Sequence, residues 1–292
     1  MVTLRARIAS ANTRMKHLDE SRQNVMKRSL FKIARALVVA YVLVTIMLAS
    51  LQRQLLFPAP PPRAVRADLG ELIEGRSAHG RRVVAHWARA REDAPAVAFF
   101  HGNGAQLADS ADLATVFLSE GWSVFSVEYP GYGPLASDSP SEESIVDVAD
   151  GAMALLRTRL AVPTAHTVLV GQSLGTGVAT ALAARGAGAK LVLISPFRSV
   201  SAVANDLFRG LPVGLLVRDR FDSEALAPTV TIPTLVIHGT ADEVIPFSHG
   251  EAISKLFSHG RLVRVERGRH NDLWSEHIDE VLNAMRAFVR LP

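Results

Sequence analysis

The 292-residue chain contains no cysteine. This excludes disulfides, thiolate metal sites and a cysteine nucleophile, but it does not assign a compartment, because exported proteins can also lack disulfides. Aromatic residues are few, 6% of the chain, and the 20 glycines and 15 prolines are an ordinary complement, so neither a fibrous repeat nor wholesale disorder is indicated. No self-similar period runs along the chain. Past residue 35 there is no excess of positive charge either. Residues 1–35 hold nine Lys/Arg against Asp19 and Glu20, a net of +7, whereas the whole chain carries +4, leaving −3 for the remainder. The basic character belongs to the tail, and the rest of the chain offers no electrostatic footprint for nucleic acid. With 48% hydrophobic residues, the length suits one sizeable core plus a short appendage.

That appendage is the amino-terminal segment. "ALVVAYVLVTIMLASL", residues 36–51, runs sixteen residues without a charge. As a helix it spans about 24 Å, short of the roughly 30 Å hydrocarbon layer. Lys32, Arg35 and Arg53 can close the gap by lifting their charges to the interface. An uncleaved membrane anchor is the favoured reading, against a cleaved signal peptide and a buried helix; "LASLQ" is a poor cleavage site. Six Lys/Arg precede the run within about twenty residues and three follow it, which favours a cytoplasmic N-terminus and a globular domain on the exterior or periplasmic side. The expected organisation is a disordered basic tail over 1–30, an anchor over 31–54, a linker and lead-in over 55–80, and a globular domain over 81–292. The proline-rich "FPAPPPRA", 57–64, is expected to be extended and to hold the domain off the membrane.

From residue 82 short apolar, β-branched runs alternate with helical patterns. Strands are expected at 82–88, 96–102, 123–129, 167–172, 191–196, 234–239 and 261–266, and helices at 105–119, 141–160, 174–186, 248–257 and 272–289. Near-continuous apolar strands between helices indicate an α/β fold with a mostly parallel central sheet flanked by helices, the earliest strands being candidates for antiparallel pairing.

"TVLVGQSLGTGVAT", 167–180, places Ser173 between two glycines where a strand gives way to a helix. Such a turn exposes the serine at the carboxyl end of the strand, and side chains at the flanking positions would collide with backbone. A serine hydroxyl is a weak nucleophile alone, so the chemistry requires a base, an orienting acid and oxyanion donors. Asp242 in "VIHGTADEVIP" follows a strand end and is the candidate acid, with Glu243 as rival; His270 in "VERGRHNDLW", after the last strand, is the candidate base. The chain order Ser, Asp, His suits this architecture. The backbone N–H groups of Asn103, in "FFHGNGAQ", and Leu174, at a helix start, are the candidate oxyanion donors. Each residue has a plainer reading alone: Asp242 as a turn former, His270 as a helix cap, and His101 and His238 as structural histidines before glycine. Joint placement at strand carboxyl ends, where open α/β sheets carry their sites, favours the catalytic reading.

Eight segments in order, "LQRQLLFPAP", "FFHGNG", "EYPGYG", "PSEES", "GQSLGTGVA", "SPFRSV", "HGTADEVIP" and "GRHNDLW", resemble the α/β-hydrolase superfamily over about residues 50–290. The resemblance is closest to its membrane-anchored branch of Bem46-like proteins and α/β-hydrolase domain-containing proteins 12, 13 and 17. It implies an esterase, thioesterase or lipase-like serine hydrolase, with Ser173, Asp242 and His270 at the triad positions and Asn103 and Leu174 at the oxyanion positions. The implied substrate is a small-molecule or lipid ester or thioester, with no cofactor or metal called for. A peptidase, an acyltransferase or a non-catalytic binding protein on the same scaffold are the alternatives. Residues 201–231, rich in Leu, Val and Phe, are either a small apolar lid suited to acyl chains or packing over the sheet edge.

Overall fold

The computed structural model describes residues 2–66, 68 and 70–290 of the chain. Neither proline nor glycine interrupts residues 2–56, and residue types that lose little side-chain freedom in a helix make up most of them. They form one helix, α1 (Val2–Leu56). The basic tail expected to be disordered is thus helical from Val2 onward, and this composition is the reason; Met1 lies outside the described residues. Within α1, Met26–Leu56 is long and apolar enough to cross a membrane, its most apolar 18 residues having a mean hydropathy of 2.2 with only 6% of them buried. Residues 1–50 and 51–292 are two separate compact units.

The second unit is built on one eight-stranded sheet in the order β1-β2-β4-β3-β5-β6-β7-β8. The strands are β1 (Glu71–Arg76), β2 (Arg82–Ala88), β3 (Ala96–Phe100), β4 (Ser123–Val127), β5 (Thr167–Gln172), β6 (Lys190–Ile194), β7 (Thr234–Gly239) and β8 (Gly260–Val265). β2 pairs antiparallel with β1 and β4, and every other pairing is parallel. Strand β1 was not expected from the sequence: "ELIEGR" lies at the sheet edge and buries only Ile73 fully, so it carries no apolar run.

Alternation along the central strands divides the core between the two faces of the sheet. Ala96, Ala98 and Phe100 join one cluster with Tyr129, Met153 and Val178, whereas Val97 and Phe99 join the other with Phe117, Trp122 and Met285. The first face is covered by α3 (Glu142–Thr158) and α4 (Leu174–Ala184), the second by α2 (Leu107–Ser119) and α9 (Ile278–Val289). Residues 200–229 form three short helices, α5 (Val200–Leu207), α6 (Val213–Leu216) and α7 (Ser223–Leu226), with a 3-10 turn at Ala227–Thr229. Helix α8 (Phe247–Ser254) connects β7 to β8.

Two expectations need correction. The 57–64 segment is not a free spacer: Phe57 is buried and meets Phe221 edge-on at 6.5 Å, the Arg63 N–H donates to Gln106 Oε1 at 2.9 Å, and Gln106 Nε2 donates to the Pro61 carbonyl at 3.0 Å. One aromatic side chain in the core and a fully buried glutamine clip it to the domain. The last helix starts at Ile278, six residues later than expected at 272, because Asp272 gathers the preceding backbone into turns. Its carboxylate accepts the Arg269 N–H at 2.7 Å, and its carbonyl accepts those of Ser275, Glu276 and His277.

Candidate active site

β5 ends at Gln172 and α4 begins at Leu174, so Ser173 alone makes the turn, at φ 49° and ψ −117°. A residue with a side chain held there costs about 1–3 kcal/mol in strain. The Ser173 N–H donates to the Ile194 carbonyl at 2.9 Å, which pins the turn to β6. The glycines are dictated by contact. A Cβ on Gly171 would overlap the Gly175 carbonyl oxygen, and one on Gly175 would overlap the Phe100 oxygen while sitting 2.7 Å from that of His101. The helix therefore starts directly against the end of β3, and the serine side chain is left on the outside of the bend.

The structure brings together the three side chains expected from the sequence. Ser173 Oγ and His270 Nε2 are 3.0 Å apart, and His270 Nδ1 lies 2.8 Å from Asp242 Oδ2. Asp242 is placed by the turn after β7: its Oδ1 accepts the N–H groups of Val244 at 3.0 Å and Ile245 at 2.7 Å. Burial by itself would raise the Asp242 carboxyl, but hydrogen bonds from His238 and His270, the charge of His270 and the Ile245 N–H together hold it well below the usual carboxylate range. The rival Glu243 meets only the His270 backbone N–H, at 3.4 Å, and pairs outward with Arg269 at 3.3 Å. The turns after His270 are tied back to the serine bend by Trp274 Nε1, which donates to Gln172 Oε1 at 3.1 Å.

Ser173 and His270 open on a cavity of about 580 Å³ that Asn103 and Leu174 also line. Leu174 is the first residue of α4, so its N–H is among the donors that a helix leaves without an internal partner. The other walls are largely apolar, with Leu56, Phe197, Val200, Val203, Val244 and Ile245. The cavity thus has two parts, a polar end able to hold a reacting carbonyl and a greasy wall able to hold a hydrocarbon chain.

Sequence reasoning missed the group that holds the Asn103 loop in place. Glu128, fully buried at the end of β4, lies 3.0 Å from His101 Nε2 through Oε1, which also accepts the Tyr129 N–H; its Oε2 accepts the Leu107 N–H at 2.9 Å. The Tyr129 hydroxyl donates to the His101 carbonyl at 3.1 Å, and that of Tyr132 to Asn103 Oδ1 at 2.9 Å. Burial, helped by the Glu128 charge, pushes the Tyr132 phenol above its ordinary range and keeps it a donor. The signal was present: a glutamate closing the apolar run "SVFSVE" must be buried and therefore partnered. His238, read as structural, does touch the site. Its Nε2 lies 2.9 Å from the Ile245 carbonyl and 3.3 Å from Asp242 Oδ2.

The strand order, the antiparallel start and the bend after β5 define the α/β-hydrolase fold. A family model described as "Serine aminopeptidase, S33" matches residues 91–215, which includes Ser173 and stops before Asp242 and His270. Among curated relatives, α/β-hydrolase domain-containing protein 17B of Xenopus tropicalis is 32% identical over 228 residues, 76% of each chain. The 17C protein of Mus musculus is 33% identical over 76% of this chain and 68% of its own. The chain belongs to the α/β-hydrolase domain-containing protein 17 family. Among solved structures, an esterase of Pyrococcus furiosus shares the fold with a TM-score of 0.63 at 14% identity, covering 80% of this chain and 97% of its own. An esterase from Exiguobacterium antarcticum does so with a TM-score of 0.58 at 19% identity, covering 75% and 99%.

Proposed function

We propose that the chain is a membrane-anchored serine hydrolase that cleaves carboxylic esters or thioesters, lipid-derived ones included, through an acyl-enzyme. The observation that carries this reading is the unbroken row from Ser173 Oγ through His270 to Asp242 at the mouth of a cavity with an apolar wall. In this reading His270 Nε2 takes the Ser173 proton as Oγ attacks the substrate carbonyl carbon, and Asp242 keeps the other imidazole proton on Nδ1 and balances the imidazolium. The N–H groups of Asn103 and Leu174 donate to the oxyanion. His270 then passes its proton to the departing alcohol or thiol. Water, deprotonated by the same imidazole, attacks the acyl-serine, releases the carboxylic acid and returns the proton to Ser173. Helix α1 holds the domain at a membrane, and the charge bias around its apolar run supports a cytoplasmic N-terminus with the globular unit on the other side. Amide hydrolysis is a second reading, favoured by the aminopeptidase description of the matching family model.

The test is a panel of p-nitrophenyl esters of increasing chain length, acyl-thioesters and aminoacyl amides, offered to the full chain and to Ser173→Ala. Turnover of esters or thioesters that vanishes in the variant is expected. Turnover confined to the amides favours the second reading, and turnover that survives in Ser173→Ala overturns both.

A further inference from the structure

A second cavity, of about 350 Å³, adjoins the first. The two share Ala105, Asp109 and Gln172, the last being the residue before the nucleophile. None of the apolar side chains that wall the first, Leu56 and Phe197 among them, lines the second. The second is formed instead by Ser110 and Leu113 of α2, Phe99 of β3 and Trp274. Gln172 and Trp274, which bond each other at 3.1 Å, place it beside both reacting residues: one precedes Ser173 in the chain and the other follows His270 by one helical turn's worth of residues.

One polar group in its wall has nothing to bond. The Asp109 carboxylate accepts the Gln106 N–H at 2.9 Å and pairs with Arg63, and both ring nitrogens of His101 are engaged, at 2.9 Å by the Gly102 carbonyl and at 3.0 Å by Glu128. A serine or threonine inside a helix commonly turns its hydroxyl back to the carbonyl four residues earlier, as Thr180 does to that of Thr176 at 2.7 Å. Ser110 does not. It is 4% exposed, and its Oγ meets no partner among the described residues. A buried hydroxyl left so calls for an explanation, and a ligand in the cavity it lines supplies one.

An ester brings two halves to Ser173. The apolar wall of the first cavity suits the acyl chain, whereas the leaving atom has to stay within reach of the His270 Nε2 proton. The group behind that atom needs room away from the acyl wall, and the second cavity is the space that meets the first there. A cavity of about 150 Å³ holds benzene, so this one admits a ring-sized group and several atoms more. We propose that the second cavity seats the leaving group of the substrate, a compact alcohol or thiol with an apolar body and one polar group that hydrogen-bonds Ser110 Oγ. This deepens the ester or thioester reading under the proposed function and rests on it. When the bond from the carbonyl carbon to the leaving oxygen or sulfur breaks, the electron pair stays on that atom, which takes the proton from His270 Nε2. The neutral alcohol or thiol is then held against α2 and Trp274 until it diffuses out, while the acyl group stays on Ser173.

Butanoate esters of methanol, phenol and hydroquinone test this with the full chain, and methyl esters of longer acids supply the acyl series. Dividing each variant's kcat/KM by the wild-type value cancels the intrinsic reactivity of the ester. Leu113→Trp fills the cavity from α2, and kcat/KM for the phenyl ester is expected to fall by about tenfold relative to the methyl ester. Ser110→Ala removes the hydroxyl, and the hydroquinone monoester is expected to lose about fivefold relative to the phenyl ester. If Leu113→Trp does not fold, Ser110→Ala decides alone. Ratios that stay at their wild-type values overturn the subsite and leave the hydrolase reading standing. A change in acyl-length preference instead gives the cavity to the acyl chain and also overturns it. A second arm needs no turnover: Ser173→Ala is expected to bind phenol, read by saturation-transfer NMR, and Ser173→Ala/Leu113→Trp is expected not to. Equal binding by the two overturns the placement. A wild type that turns over no ester ends the hydrolase reading and the leaving-group role together, and the phenol arm then reports the cavity separately.

Discussion

Replacing Asp242 by Asn changes one atom and, in this geometry, reverses a proton. Asp242 Oδ1 faces two fixed backbone donors, Val244 N–H at 3.0 Å and Ile245 N–H at 2.7 Å. An asparagine can satisfy them only with its carbonyl oxygen, so its NH₂ falls where Oδ2 lay, 2.8 Å from His270 Nδ1. A donor there selects the tautomer with the imidazole proton on Nε2, pointed at Ser173 Oγ, and a protonated Nε2 cannot accept the serine proton. The same change in a Ser-His-Asp triad elsewhere lowers kcat by about 10⁴-fold, which corresponds to about 5.4 kcal/mol of barrier. Asp242→Asn is therefore expected to lose activity on this scale with its fold retained, although the NH₂ also meets His238 Nε2, a second donor, so some stability is lost. The assay is ester turnover normalised to folded protein by circular dichroism at low temperature. An Asn variant within about tenfold of wild type would refute the tautomer argument and with it the role given to Asp242.

Three further outcomes follow from the same contacts. Asp242 titrates below the ordinary value of 3.8, so its contribution to folding is complete above that pH and is lost as pH falls toward the depressed folded value. Urea titrations at about pH 5 and about pH 2.5 should show wild type losing more stability than Asp242→Asn, and equal losses would contradict the shift. Glu128→Ala strands His101 Nε2 and the N–H groups of Leu107 and Tyr129 in a dry interior. The expected cost is on the order of 3 kcal/mol, or about 10 °C in Tm, and a thermal melt within about 2 °C of wild type would count against the pairing. Gly175→Ala pushes a methyl into the Phe100 and His101 carbonyl oxygens. A loss above about 4 kcal/mol or failure to accumulate as soluble protein is expected, whereas a normal melt would mean that α4 does not start as closely against β3 as described.

Much of the site was readable from the sequence because its residues sit where local patterns break. Ser173, Asp242 and His270 each interrupt or follow an apolar run, and seven of the eight strands, β2 to β8, announce themselves as apolar or β-branched stretches. The features that were not readable depend on contacts between distant segments. β1 gives no signal because an edge strand that buries one side chain has no pattern to show. The late start of α9 follows from Asp272 turning the chain so that Trp274 can reach Gln172, 102 residues away. His238 reads as a histidine before glycine, and only the turn over 239–245 brings Asp242 back beside it. Phe57 sits in a proline-rich stretch that resembles a spacer until Phe221 is seen against it.

The central claim is that the hydroxyl at Ser173 is the attacking group. The most direct measurement is reaction of the full chain with a fluorophosphonate, followed by peptide mass mapping. The account predicts a single phosphonylated peptide carrying the adduct on Ser173, and none in Ser173→Ala. An unmodified Ser173 in protein shown to be folded, or an adduct on another residue, would contradict it.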